Sequence, residues 1–539
     1  MSRIYAILIF LTVSLQAFPQ TSVPRPKLIV GIVVDQMRWD YLYRYYDRYD
    51  VKGGFKRMMG NGFSYENTMI PYAPTVTGCG HACIYSGSVP AVNGITGNQW
   101  WDKEKKRVVY CSEDNSVNTV GTDTKLGQMS PRNLLVTTIG DELRLATNFR
   151  SKVVGVALKD RGSIIPAGHS ANAAYWYDNS AGKWISSTYY MKELPVWVKS
   201  FNEQKNVDKY YEKGWSLLYP ANSYLQSTPD SVAYETNVFG KGFPYNMKSF
   251  IGKDYGKIAT TPMGNSLTAE FAKQAIDGEQ LGMDNFTDLL AISFSSTDYI
   301  GHAFGPNSIE AEDGMLRLDR DLGALLDYLD LKIGKDQYTV FLSADHGVVQ
   351  TPEFQQEHKL PGGRFYLSNL VKALNTELTA KYKTGPLILS QDNYQLALDH
   401  GKMDSANINE EELLSWLEKR VYLEPSIDRA FPLEKLNTVP MPATIRKMIN
   451  NGYYPRRSGD LQLILKPGYI DAYSATGTTH GLWNPYDAHI PLIWYGWGIK
   501  QGRSTKEVYM TDIAPTLAAL LRIQMPSGCI GEPLQDLLK

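Results

Sequence analysis

At 539 residues the chain exceeds what one small hydrophobic core can organise. Its 43% hydrophobic and 21% charged residues give the balance of an ordinary globular protein. A formal net charge of −1 excludes a general attraction to nucleic acid or to an anionic membrane, so an anionic ligand has to be held by local charge.

In chain order, Arg3 precedes an apolar run from Ile4 to Leu15, followed by Ala17 and Pro19. The run is too short to cross a bilayer and reads as a secretory signal peptide over residues 1–20, cleaved between 17 and 20. No Cys lies near it and no later stretch is apolar enough to span. A periplasmic or secreted protein without a stable membrane anchor is expected. The four cysteines, Cys79, Cys83, Cys111 and Cys529, allow three pairings in an oxidising compartment. Cys79 and Cys83 have a CxxxC spacing, but no second pair completes a structural zinc site. Bridges or buried thiols are expected.

Five apolar runs share one habit. Leu28–Val34 is followed at once by Asp35, and Lys152–Leu158 leads into Lys159 and Arg161. Leu289–Ser295 leads to Asp298, and Tyr338–Ala344 to Asp345 and His346. Ile490–Gly496 follows His480 and His489. Continuous apolar runs of this length suit strands buried on both faces of a parallel sheet. Amphipathic segments between them, such as Leu134–Ala146 and Ile309–Leu329, predict helices. The fold expected is therefore α/β, a doubly wound, mostly parallel sheet. Residues 21–169, 286–360 and 476–539 form this core. Residues 170–285, rich in Tyr, Trp, Asn, Gly and Lys, and the more polar 361–475 are read as insertions forming a cap.

In such sheets ligands bind beyond the carboxyl ends of the strands, where four of these runs place charged or metal-competent side chains. Asp298 and His302 form a D-x-x-x-H unit, Asp345-His346-Gly347 a D-H-G unit, and Thr479-His480-Gly481 a further His; Asp35 adds a carboxylate. Imidazole and carboxylate together suit zinc, and the set is enough for two ions with three protein ligands each. Thr77 sits in a Gly-, Pro- and Thr-rich turn before a helix-compatible run, Ala82–Ser86, a setting that surrounds a hydroxyl with backbone N–H groups. Two metals on either side would activate that hydroxyl and stabilise a departing oxygen, as an in-line phosphoryl transfer requires. His81, His169, His358, His400 and His489 read as ordinary hydrogen-bonded histidines.

These residues resemble a family. Asp35 after the first strand, Thr77 in TVTG, Asn98 in GITGNQWWD, Lys159-Asp160-Arg161 in LKDRG, and the D-x-x-x-H, DHG and THG units are similar to the alkaline phosphatase superfamily. The likeness is closest to its phosphate-irrepressible bacterial phosphomonoesterases. The resemblance implies that Asp298, His302 and His480 bind one zinc, and that Asp35, Asp345, His346 and Thr77 bind the other. It implies that Thr77 becomes a phosphothreonine, which water then hydrolyses. Asn98, Lys159 and Arg161 would hold the non-bridging oxygens of a monoester, Lys159 and Arg161 lying on one side of an extended segment. The partners implied are small-molecule phosphate monoesters; the sequence leaves the oligomeric state open, with a monomer favoured. Cys79-Gly80-His81-Ala82-Cys83 lacks the C/S-x-P-x-R setting of sulfatases, and Thr replaces the Ser of the cofactor-independent mutases. A nucleotide-type phosphodiesterase is the second reading, a non-catalytic phosphate-binding protein the third.

Overall fold

The structure, a computed structural model, describes residues 23–538; the signal-peptide reading falls on residues 1–20, outside them. The strands of its main sheet, and one separate hairpin, follow in chain order. They are β1 (Leu28–Val34), β2 (Phe63–Met69), the hairpin β3 (Gln99–Asp102) and β4 (Arg107–Tyr110), then β5 (Thr119–Val120) and β6 (Val153–Ala157). After them come β7 (Ala173–Asp178), β8 (Lys183–Ser187), β9 (Asp288–Phe294), β10 (Tyr338–Ser343), β11 (His489–Gly496) and β12 (Gly502–Tyr509). The ten-stranded sheet has the order β12-β2-β11-β10-β1-β9-β6-β7-β8-β5, with the β3–β4 hairpin apart from it. From β10 to β7 the strands are parallel, and every residue of β1, β6, β9 and β10 is buried. Helices cover both faces, so these strands can be apolar throughout. The α/β architecture with a mostly parallel centre is the one the sequence predicts.

The run Ile490–Gly496 departs from its prediction. It forms β11, which runs antiparallel to β10, with Leu492 opposite Ser343 and Gly496 opposite Thr339. The chain enters β11 from the carboxyl edge of β10 and must run back down the sheet. The reversal brings the segment before β11, with His480, to the edge where the parallel strands end.

The predicted helix Leu134–Ala146 is shorter, Ile139–Ala146. A 3₁₀ turn occupies Pro131–Asn133, and Thr138 starts the α-helix with a reciprocal capping box to Asp141. Thr77 does not precede a helix at Ala82. It is the first residue of α1 (Thr77–Ser86), all ten residues of which are buried.

Part of 170–285 is not cap. Residues 173–187 supply β7 and β8 to the main sheet, where they extend its apolar surface. Residues 361–475 build a separate four-stranded sheet from Ile388–Ser390, Gln395–Leu398, Ile427–Pro432 and Leu461–Leu465. It has its own core, including Leu374, Leu396, Leu417 and Leu463. Among the described residues no helix is long and apolar enough to cross a membrane. All four cysteines are free thiols, three of them buried.

Helix α1 lies close against the strand ends because it carries glycine where it meets them. A Cβ at Gly80 would stand 2.5 Å from both Cβ and the backbone oxygen of Asp345. Gly80→Ala should therefore push α1 off the β10 end and cost about 1–3 kcal/mol, the usual range for overpacking. Urea denaturation checks this; an unchanged midpoint would show that the contact has slack.

Candidate metal centre

Most of the predicted residues take their place from the end of a core element; His480 lies in the loop before β11 and Asn98 just before the β3–β4 hairpin. Asp35 follows β1 and Lys159 lies two residues past β6. Asp345 and His346 follow β10. Helix α2 (Ser296–Phe304) opens just after β9 and carries Asp298 and His302 one turn apart on one face, so the D-x-x-x-H spacing is a helical one. Asp35, Asp345, His346 and Thr77 have at most 1% of their surface exposed, and Asp298 4%.

Two groups of ligand atoms converge. Those of Asp35, Asp345 and His346 lie within 4.8 Å of one another, and so do those of Asp298, His346 and His480. His346 thus belongs to both. His302 joins through Asp298, whose Oδ1 lies 3.2 Å from His302 Nε2 and 3.6 Å from His480 Nε2. His346 Nε2 lies 3.5 Å from Asp35 Oδ1, 3.6 Å from Asp345 Oδ2 and 3.5 Å from Thr77 Oγ1. Most of these separations are long for hydrogen bonds. Two ligands about 2.0–2.1 Å from one tetrahedral ion stand about 3.3–3.4 Å apart, which is the range seen here.

The imidazoles share one arrangement. Nδ1 of His302 meets the Thr478 carbonyl at 2.8 Å, Nδ1 of His346 the Gly347 carbonyl at 3.0 Å, and Nδ1 of His480 the Thr75 carbonyl at 2.7 Å. A carbonyl only accepts, so each Nδ1 carries the proton and each Nε2 turns a lone pair to the centre. Asp35 Oδ1 and Asp345 Oδ2 are buried without a hydrogen-bond partner among the described residues. Buried carboxylate oxygens left without donors, beside Nε2 lone pairs, form a donor set that fits divalent metal ions.

The electrostatics follow from three buried carboxylates and one buried ammonium. Burial pushes the Asp345 carboxyl well above its usual range, and the Asp35 charge adds to this. Burial also opposes ionisation of Asp298. Lys159, His302 and His480 together outweigh it and hold that carboxyl well below the usual range. Burial lowers His346 to about 4 and drives His480 well below the usual imidazole value. His302 moves the other way: burial lowers it, but the Asp298 carboxylate and the Thr478 carbonyl together raise it above the usual value.

The three residues predicted to hold ligand oxygens separate. Lys159 reaches into the centre itself, its Nζ 2.7 Å from Asp35 Oδ2 and 2.5 Å from Asp298 Oδ2. Asn98 accepts from the Gly78 N–H at 2.8 Å, satisfying an orphan donor in the first turn of α1, which Val76 does not cap with its side chain. Its Nδ2 is left to donate. Arg161 does not lie on an extended segment with Lys159. It is the second residue of α-helix Asp160–Ala167, and its Nη1 donates to the Tyr110 hydroxyl at 3.0 Å. A cleft of 450 Å³ opens over Asn98, His302, His480 and Thr479 and is also lined by Asp392 and Tyr473.

Sequence reasoning set His81 aside as an ordinary histidine. Its Nδ1 meets the Thr77 carbonyl at 2.9 Å and its Nε2 the Ser293 hydroxyl at 2.9 Å. Gln36 was missed. Its backbone N–H donates to Asp345 Oδ1 at 3.1 Å and its Nε2 to Asp298 Oδ1 at 2.7 Å, so one residue ties both ligand groups. Gln36 has φ +65°, a left-handed conformation unusual for a residue with a side chain, and a Cβ at Gly301 would lie 1.8 Å from its Oε1. The only signal was its place directly after Asp35.

The profile described as Type I phosphodiesterase / nucleotide pyrophosphatase matches residues 29–487. The chain belongs to this family, within the alkaline phosphatase superfamily. Alkaline phosphatase PhoV of Synechococcus elongatus is 51% identical over 529 residues, 97% of this chain and 94% of that protein. Alkaline phosphatase PafA of Elizabethkingia meningoseptica is 49% identical over 522 residues, covering 96% and 95%. The crystal structure of PafA superposes with a TM-score of 0.94 at 48% identity, over 96% of this chain and all of that one. A Myroides odoratus protein named calcium-transporting ATPase is also 49% identical over 522 residues, covering 96% and 95%.

Gln36→Leu removes the amide that steadies Asp298 and leaves the fold's apolar volume nearly intact. Metal affinity should fall about ten- to a hundredfold, as for other partners of ligating side chains. Competition with a coloured chelator reads this directly; an unchanged affinity would remove Gln36 from the centre.

Proposed function

We propose that this chain is a zinc-dependent phosphatase that hydrolyses phosphate monoesters to alcohol and inorganic phosphate, with Thr77 as nucleophile. The observation that carries this reading is the convergence of imidazole nitrogens and unpaired carboxylate oxygens in two groups that share His346, whose Nε2 lies 3.5 Å from the Thr77 hydroxyl at the N-terminus of a buried helix. Asp35, Asp345 and His346 would hold one zinc, with Thr77 beside it, and Asp298, His302 and His480 the other. Bound there, the two ions supply a lowered pKa for the attacking oxygen and charge stabilisation for the leaving one.

The chain's own groups do the rest. Thr77 Oγ1 attacks phosphorus in line, the P–O bond to the alcohol breaks, and a phosphothreonine forms; water then attacks the same phosphorus and returns Thr77. The N-terminus of α1 favours the anionic phosphoryl group. Asn98 Nδ2 and the Arg161 guanidinium donate to the terminal oxygens, and Lys159 adds positive charge beside Asp298. A monoester has three such oxygens. A diester has a substituent on one, so this donor set favours monoesters. The terminal phosphate of ATP likewise carries one substituent, so the names of the three relatives share this chemistry. The leader-like first 20 residues support export to the periplasm or the medium, where such an enzyme meets small phosphate esters as a monomer.

The family's name favours a second reading, a phosphodiesterase. Comparing p-nitrophenyl phosphate with its bis ester separates the two; a strong preference for the bis ester would overturn the first. Thr77→Ala should lose nearly all turnover while metal content stays the same, measured by elemental analysis beside the rate. Chelation should abolish activity and zinc restore it. Recovery with magnesium alone would show the wrong metal has been assigned.

A further inference from the structure

Arg161 is half-buried, and among the described residues no carboxylate pairs directly with its side chain; the side-chain hydrogen bond it makes there is the one to Tyr110. The Tyr110 hydroxyl has a single proton. It donates that proton to Asp160 Oδ1 at 2.6 Å, because a carboxylate only accepts. The remaining lone pairs of the hydroxyl face Arg161 Nη1 at 3.0 Å. The direction of both bonds is thereby fixed, and the charge of Asp160 reaches the guanidinium through the hydroxyl. Arg161 Nε is buried with no hydrogen-bond partner among the described residues, so that edge of the guanidinium is free.

Tyr110 is itself held firmly. It ends β4, paired with Gln99 of β3. Its N–H donates to Glu113 Oε2 at 3.1 Å, and its carbonyl accepts from Asn133 Nδ2 at 3.2 Å. The same hairpin carries Asn98, whose carbonyl accepts the Cys111 N–H at 2.9 Å. Both donors assigned to the terminal oxygens are thus set by one frame. Asn98 is fixed through its own backbone, and Arg161 through the Tyr110 ring.

We propose that Tyr110 is the positioning residue for Arg161, and that it sets the preference for a monoester over a diester. The inference rests on the role given to Arg161 above. A hydroxyl that aims the guanidinium matters most for a substrate with a third terminal oxygen to receive it, which a diester lacks.

Tyr110→Phe removes the hydroxyl and keeps the ring. In the zinc-loaded enzyme, kcat/KM for p-nitrophenyl phosphate should fall about tenfold, the effect of losing one hydrogen bond to a charged group. Inhibition by inorganic phosphate should weaken in parallel, while methyl p-nitrophenyl phosphate should change less than about twofold. Tyr110→Phe combined with Arg161→Ala should be no slower on the monoester than Arg161→Ala alone, since the two act through one contact. Equal losses on both substrates, or losses that add in the double variant, would overturn the proposal. Arg161→Ala by itself separates the two levels. If it affects monoester and diester alike, the role of Arg161 fails and Tyr110 with it. If it selectively slows the monoester and Tyr110→Phe does not, only the positioning role falls.

Discussion

Three carboxylates, Asp35, Asp298 and Asp345, meet at the carboxyl edge of the sheet with almost no water, and one ammonium, Lys159, stands among them. Charges taken out of water are costly unless paired, and a single Lys pairs only two of the three. The surplus is visible in the opposite displacement of the carboxyls: Asp298, beside Lys159, is held low, and Asp345, beside Asp35, is forced high. Divalent cations bound between these side chains would relieve that surplus. The surrounding structure is arranged to accept them, because each ligating imidazole is anchored at Nδ1 and open at Nε2.

Bringing these groups together demands close approach of elements that side chains would normally keep apart. Gly80 lets α1 reach Asp345, Gly301 makes room for the Gln36 amide, and Gly31 lets Tyr85 of α1 pack into the sheet beside Phe341. The same economy of space sets Thr77 at the first position of α1, where the helix end and the ligand cluster act on one hydroxyl. Rigidity here comes from packing: the helix carries no Asp, Glu, Lys or Arg, and every residue of it is buried. The second body, residues 361–475, lines the cleft beside the centre with Asp392, Asn393, Tyr394 and Tyr473, and the Tyr394 hydroxyl donates to the His480 carbonyl at 3.5 Å.

The parts legible in the sequence were those in which adjacent residues carry the signal. An apolar run followed at once by Asp or Asp-His announces a strand and what stands at its end, as at Asp35 and Asp345. The D-x-x-x-H unit was readable too, although its geometry comes from a helix turn rather than a loop. What escaped depended on partners distant in the chain. Gln36 looks unremarkable until its amide is seen on Asp298, 262 positions away. Tyr110 is one of 35 tyrosines, and its hydroxyl gains meaning only between Asp160 and Arg161. Lys159 and Arg161 were paired by their spacing, yet a helix begins between them and sends one to the carboxylates and the other to the hairpin.

The sequence by itself determined the α/β class, the strands of the sheet centre and the residue types that gather at their ends, because burial on both faces and metal-competent chemistry leave local patterns. Tertiary structure decided the direction of β11, the sharing of His346 between two ligand groups, the use of residues 173–187 in the main sheet, and the tautomer of every ligating imidazole. These depend on which backbone carbonyl or neighbouring strand a residue meets after the chain has crossed the sheet. No local pattern encodes such a meeting, since the hydrogen bonds and charges that fix it come from segments that touch only in the folded chain.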